Sequence, residues 1–165
     1  MTSSKGSPAE PGTGPSSGSA AGREAALVDT ELTGALTELR AHCLALPEVT
    51  ERLSHGEPTW FVRDRKVFVT FAGRHHDDRA AFWCAAVAPE RDALVAEDPA
   101  RYFVPPYVGG RGWLGVYLDH GRVDWAEVGE IVREAYRLIA PKKLAALVDG
   151  LDGTPAESSD SPRGI

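Results

Sequence analysis

Hydrophobic and polar positions are arranged most legibly across residues 59–72, TWFVRDRKVFVTFA. Apolar runs at Trp60, Phe61 and Val62 and from Val67 to Phe71 flank the polar tetrad Arg63, Asp64, Arg65 and Lys66. Two such runs around a short turn predict an antiparallel hairpin with a basic tip. Strict alternation puts Val67, Val69 and Phe71 on a core face and Lys66, Phe68 and Thr70 on the other. That second face needs either a covering layer or a partner.

The pattern on either side predicts helices around a small sheet. Asp29 or Thr30 offers an N-cap, and Leu32, Ala35, Leu36, Leu39, Cys43 and Leu46 recur at helical spacing until Pro47 stops the helix. Residues 50–56 read as a short extended stretch, with Glu51, Leu53 and His55 on one side. After a polar turn at residues 73–79, the continuous apolar run of residues 80–87, AAFWCAAV, predicts a central strand covered on both faces. Three strands in succession form a meander. Pro89 starts a short helix that ends by Pro99. The prolines at 105 and 106 exclude a central strand from residues 102–107, which read as a rigid extended connector. A glycine-rich loop then leads into a strand over residues 113–118, with Trp113, Gly115 and Tyr117 on one face. Asp124, with Glu127 three residues on, caps an amphipathic helix in a variant of the capping box. Pro141 breaks it, and a last helical turn over residues 142–148 closes at Gly150. The expectation is an α+β domain, an antiparallel sheet with helices packed against it, over residues 29–150. Residues 1–28 and 151–165, rich in Ser, Gly, Pro and Asp, are expected as disordered tails.

Composition narrows the function classes. At 165 residues the chain can bury a core without disulfides or metal. Its longest uncharged apolar run, residues 80–89, is too short to span a bilayer, and no apolar signal core opens the sequence, so the default expectation is cytoplasmic, with no membrane. Cys43 and Cys84 stand alone in apolar stretches and read as buried free thiols. The formal charge of −6 argues against a general polyanion binder, yet residues 46–148 hold fourteen Lys and Arg against fifteen Asp and Glu. The acidity lies mainly in the flanks, and a near-neutral domain can still carry a local basic patch.

No catalytic constellation is recognisable. Gly110-Arg111-Gly112-Trp113-Leu114-Gly115 matches GxGxxG, but a phosphate-cradling loop needs a strand before it and a helix after it, and here a connector precedes and a strand follows. The run His75-His76-Asp77-Asp78 has no third ligand cluster to complete a metal site. Ser54-His55 lacks a nucleophile elbow and an orienting third group. Neither a metal nor a cofactor is expected. What remains is a set of basic and aromatic residues on loops and sheet edges: Arg63, Arg65 and Lys66, then Arg74, His75, His76 and Arg79, then Arg111 beside Trp113. Hairpin tips bearing arginine can lie on phosphates, although charged tips also serve any sheet in water.

The segment from about residue 36 to residue 147 resembles the MmcQ/YjbR family of small bacterial proteins. The resemblance is carried by the helix end Leu44-Ala45-Leu46-Pro47-Glu48-Val49-Thr50-Glu51, by His55-Gly56-Glu57-Pro58-Thr59-Trp60-Phe61 and by the strand Lys66-Val67-Phe68-Val69. The late block Pro106-Tyr107-Val108-Gly109-Gly110-Arg111-Gly112-Trp113 completes it. The resemblance implies a frataxin-like α+β arrangement and a DNA-binding role through hairpin wings, without a catalytic activity or cofactor. On that basis Arg63, Arg65, Lys66, Arg74 and Arg111 are candidate phosphate contacts, with Trp113 or Phe68 for packing or base contact. The alternative is a non-enzymatic protein-interaction or small-ligand module built on residues 102–113 and the outer face of the hairpin, in a monomer or weak dimer.

Overall fold

The computed structural model of the protein describes residues 20–73, 79–119 and 122–151. Its elements run α1 (Ala20–Leu44), β1 (Val49–Ser54), β2 (Glu57–Val62), β3 (Lys66–Gly73), β4 (Ala80–Cys84), α2 (Ala88–Glu97), β5 (Tyr102–Phe103), β6 (Leu114–Tyr117), α3 (Trp125–Ile139) and α4 (Lys142–Leu151). One six-stranded antiparallel sheet has the order β1-β2-β3-β4-β6-β5. Helices α1, α3 and α4 pack together, and α1 and α3 lie against one face of that sheet. The architecture is α+β, as expected.

The core forms between that face and the helices. Leu39 and Cys43 of α1, Val128, Val132 and Tyr136 of α3, and Leu144 and Val148 of α4 are buried with Trp60, Phe68, Phe82, Leu114 and Val116 of the sheet. Apolar side chains leaving water together supply most of the drive for this packing. Glu51 ties the edge strand β1 to it. Its carboxylate accepts from Arg40 Nε at 2.8 Å and from the indole Nε1 of buried Trp60 at 3.1 Å. Cys43 and Cys84 are free and buried.

Several boundaries depart from the sequence reading. α1 begins at Ala20, so the described part of the expected N-terminal tail is helical, and Asp29 and Thr30 lie within the helix rather than capping it. The stretch before the hairpin is a full strand, β1, paired residue by residue with β2. The connector opens with a two-residue edge strand, β5, where no proline intervenes. α4 runs through Gly150 to Leu151, beyond the expected stop. Asp124 does cap α3, accepting from the amides of Ala126 and Glu127, but Glu127 does not close the box. Its carboxylate takes the Tyr102 hydroxyl at 2.6 Å and pairs with Arg101.

The largest correction concerns β3. Phe61 pairs with Val67 while Trp60 pairs with Val69, so Phe68 is an extra residue, a β-bulge. The bulge lets Phe68 join Val69 and Phe71 in the core, with its ring edge-on to Tyr136 at 5.6 Å. It also moves Val67 to the opposite face with Thr70. The alternation expected along this strand holds only beyond the bulge.

Candidate functional site

The face of the sheet turned away from the helices carries a cleft of about 450 Å³. Its floor is a row of cross-strand partners, Thr59, Thr70 and Trp83, with Phe61 and Val67 beside them. The register fixes its two ends. Leu114 pairs with Cys84, Cys84 with Val69, and Val69 with Trp60, so the segment preceding β6 emerges at the same end of the sheet as the β2–β3 tip. The β1–β2 turn lies at the other end, where Ser54, His55 and Glu57 line the cleft. His55 and Gly56 both have positive φ, 52° and 80°, as a two-residue hairpin turn of the primed type requires.

Arg111 and Trp113 form the wall at the tip end, together with Val108. The chain around Arg111 is anchored from both sides. Residues Gly109–Arg111 form one 3-10 turn, and Arg91 Nη1 of α2 donates to the Gly109 carbonyl at 2.5 Å. Gly112 follows at φ 88°, where a Cβ would stand 3.0 Å from the Ala86 carbonyl oxygen, so only glycine lets the chain turn this close to its neighbour. Of the glycines in the rejected GxGxxG string, Gly112 serves this turn, while Gly115 lies within β6. Arg111 is exposed, and none of the described carboxylates pairs with it.

The candidate cations differ in what they already hold. Arg63 pairs with Glu48 at 3.0 Å, and its backbone N–H also donates to the Glu48 carbonyl. Asp64 is paired with Arg52, whose guanidinium lies 3.8 Å over the Phe61 ring. Arg65 and Lys66 are exposed at the tip without a described ion-pair partner. Arg74, with His75, His76, Asp77 and Asp78, lies outside the described residues. Trp113 is buried and contributes to the cleft wall and the core at once. The structure therefore brings Arg111 and Trp113 together at one cleft, beyond the end of the sheet that carries Arg65 and Lys66. Phe68 faces the helices, which removes it as a surface aromatic.

The cleft floor was not evident from the sequence, because the bulge that turns Val67 outward leaves no signature in the apolar run. The pairing of Thr59 with Thr70 depends on register in the same way. His55 and Glu57 line the cleft, and Tyr107, 89% exposed, lies outside its lining. Among the described residues no cluster of three or more His, Cys, Asp or Glu side chains is placed to hold a metal ion, and no helix is long and apolar enough to cross a membrane.

Comparison with known proteins agrees with this architecture. The crystal structure of the Deinococcus radiodurans protein DR2400, described as a DUF419 domain, is similar in fold, with a TM-score of 0.53 at 18% identity over 62% of this chain and 76% of that one. No curated protein matches the chain. The sequence model of the YjbR family matches residues 44–138, from the end of α1 to the last turn of α3. With more than half of its length matched, the chain belongs to the YjbR family.

Proposed function

We propose that the protein is a weak nucleic-acid-binding domain that holds phosphates through cations gathered at one end of its sheet. One observation carries the reading: strand register puts the β2–β3 tip, with Arg65 and Lys66, at the same end as the anchored turn bearing Arg111. Three exposed cations on rigid hairpin and turn backbone can follow a phosphate backbone without rearrangement. Arg63 adds to them at the cost of its exposed pair with Glu48, which is worth little.

With three phosphates neutralised, the logarithm of affinity should fall with that of salt at a slope of about −2.7 on duplex DNA and about −2 on single strands. Fluorescence anisotropy of labelled DNA against the full chain at several salt concentrations measures it. Replacing both Arg65 and Lys66 by Ala should flatten the duplex slope by about two units. An unchanged slope removes the tip from the interface, and no binding at low salt ends the reading.

A second reading, a small-ligand module, is favoured by the cleft itself. Its volume and its mostly apolar lining with a few polar groups at each end are those of ligand sites.

A further inference from the structure

The cleft has a chemical polarity that specifies its occupant more closely than its shape does. At the centre of the floor the Thr59 hydroxyl lies 3.1 Å from the Glu57 carbonyl oxygen and 2.7 Å from the Thr70 hydroxyl. The carbonyl can only accept, so Thr59 spends its single hydrogen there and Thr70 must donate to Thr59. Thr70 is left with lone pairs alone facing the cleft. A group resting on the floor is therefore met by an acceptor and must bring a donor.

The two ends differ in charge. Glu57 lies at the β1–β2 end with His55, and Arg111 lies at the tip end. An anionic group is held at the second, where the Arg111 guanidinium is exposed. Between them Val67, Trp83 and Trp113 offer apolar and aromatic surface suited to a flat ring.

We propose that the cleft binds a small planar aromatic anion. Its ring lies against Trp83 and Trp113, a ring N–H or amino group donates to Thr70, and its carboxylate or phosphate rests on Arg111. This rests on the reading of the cleft as a binding site and does not require the tip cations Arg65 and Lys66. Two sources share the chemistry, a free aromatic acid and a nucleotide unit of a single strand.

The experiment is a titration of the isotopically labelled full chain, followed by amide and indole N–H resonances. The probes are adenosine 5′-monophosphate and indole-3-acetate, with uncharged adenosine and indole as their controls. The expected result is saturable shifts at Thr70, at the Trp83 and Trp113 indoles and around Arg111. The anions should bind about tenfold or more tightly than their neutral counterparts, since a hydrogen bond to a charged group is at stake. Arg111→Met should remove that advantage, and because Arg111 is exposed the variant keeps its fold. Arg65→Ala with Lys66→Ala should leave cleft binding unchanged, which separates this site from the phosphate-binding tip. Displacement of the bound mononucleotide by single-stranded oligoadenylate would support the proposal and assign the source to a strand. Retention of the mononucleotide would support it with a free anion as ligand. Equal affinity for charged and neutral probes, shifts confined to the hairpin tip, or no saturable shift would overturn it.

Discussion

Phe103 lies over Gly115, its cross-strand partner: a Cβ added at Gly115 would stand 2.3 Å from the ring Cζ and 2.4 Å from Cε2. The same ring stacks on Tyr117 at 4.4 Å, and Arg79 covers Tyr117 in turn at 3.5 Å. The two-residue strand β5 is thus held to the sheet through an aromatic contact that only glycine admits. Gly115→Ala should lower stability by about 1–3 kcal/mol through overpacking, read as a fall in the urea midpoint at unchanged slope. The combination with Phe103→Ala should cost less than the sum of the two single changes, because the clash has gone.

Glu51 serves two donors, Arg40 and Trp60, and they are not equally important. The side chain of Arg40 is 38% exposed and can turn to water, whereas Trp60 is fully buried. Glu51→Ala would leave the indole N–H without its acceptor, at a cost of about 1–3 kcal/mol. Glu51→Gln keeps an acceptor for the indole and should lose less than half of that in the same urea experiment. Equal losses from the two variants would make the charge on Arg40 the dominant partner.

The sequence discloses the fold where a period or a breaker is unambiguous. The stripe of Val128, Ile131, Val132 and Ala135 and the cap at Asp124 mark α3 nearly to the residue, and Pro89 places α2. Legibility fails where tertiary pairing overrides local pattern. Arg52, Ser54 and Glu51 let β1 read only as a short extended stretch, and its ladder to β2 and the Glu51 contacts make it a full strand of the sheet. The start of α1 is obscured because a Ser- and Gly-rich segment runs directly into alanines that continue the helix. The site follows the same rule. Arg111 and the hairpin tip stand out as exposed cations, but that they share an end of the sheet, and that Thr59 and Thr70 form a cleft floor, depends on a register broken by one bulge.

Stability should decline on the alkaline side. Burial pushes the Cys84 thiol up to about 12. Cys43 is raised well above the ordinary thiol value by burial, with Cys84 and Glu51 adding to the shift. In the unfolded chain a thiol ionises near about 8.5. Between that value and the folded one the unfolded state binds fewer protons, so stability is whole below about pH 8.5 and is lost as pH rises toward about 12. Cys84 alone contributes a slope of about 1.4 kcal/mol per pH unit within that window. Urea midpoints across the alkaline range should show the decline, and Cys84→Ala should make it shallower while Cys43 keeps part of it. Identical pH dependence in the variant would mean that the Cys84 thiol is reached by water before global unfolding.

Tyr136 joins two parts of the core through different atoms, which allows them to be separated. Its ring packs edge-on against Phe68 from the bulge, and its hydroxyl donates to the Pro47 carbonyl at 2.6 Å, tying α3 to the chain where it leaves α1. Burial raises the pKa of this phenol, with Glu48 adding to the shift and Arg63 opposing it, which favours the protonated, donating form. Tyr136→Phe keeps the ring contact and removes only the donor, and should cost about 1 kcal/mol. Tyr136→Leu removes both, and should cost a further 0.5–1.5 kcal/mol or so from the lost aromatic pair. If Phe at this position matches the native midpoint, the Pro47 carbonyl finds water in place of the phenol. Phe68 then becomes the contact through which α3 holds the bulged strand, and with it the outward turn of Val67 on which the cleft depends.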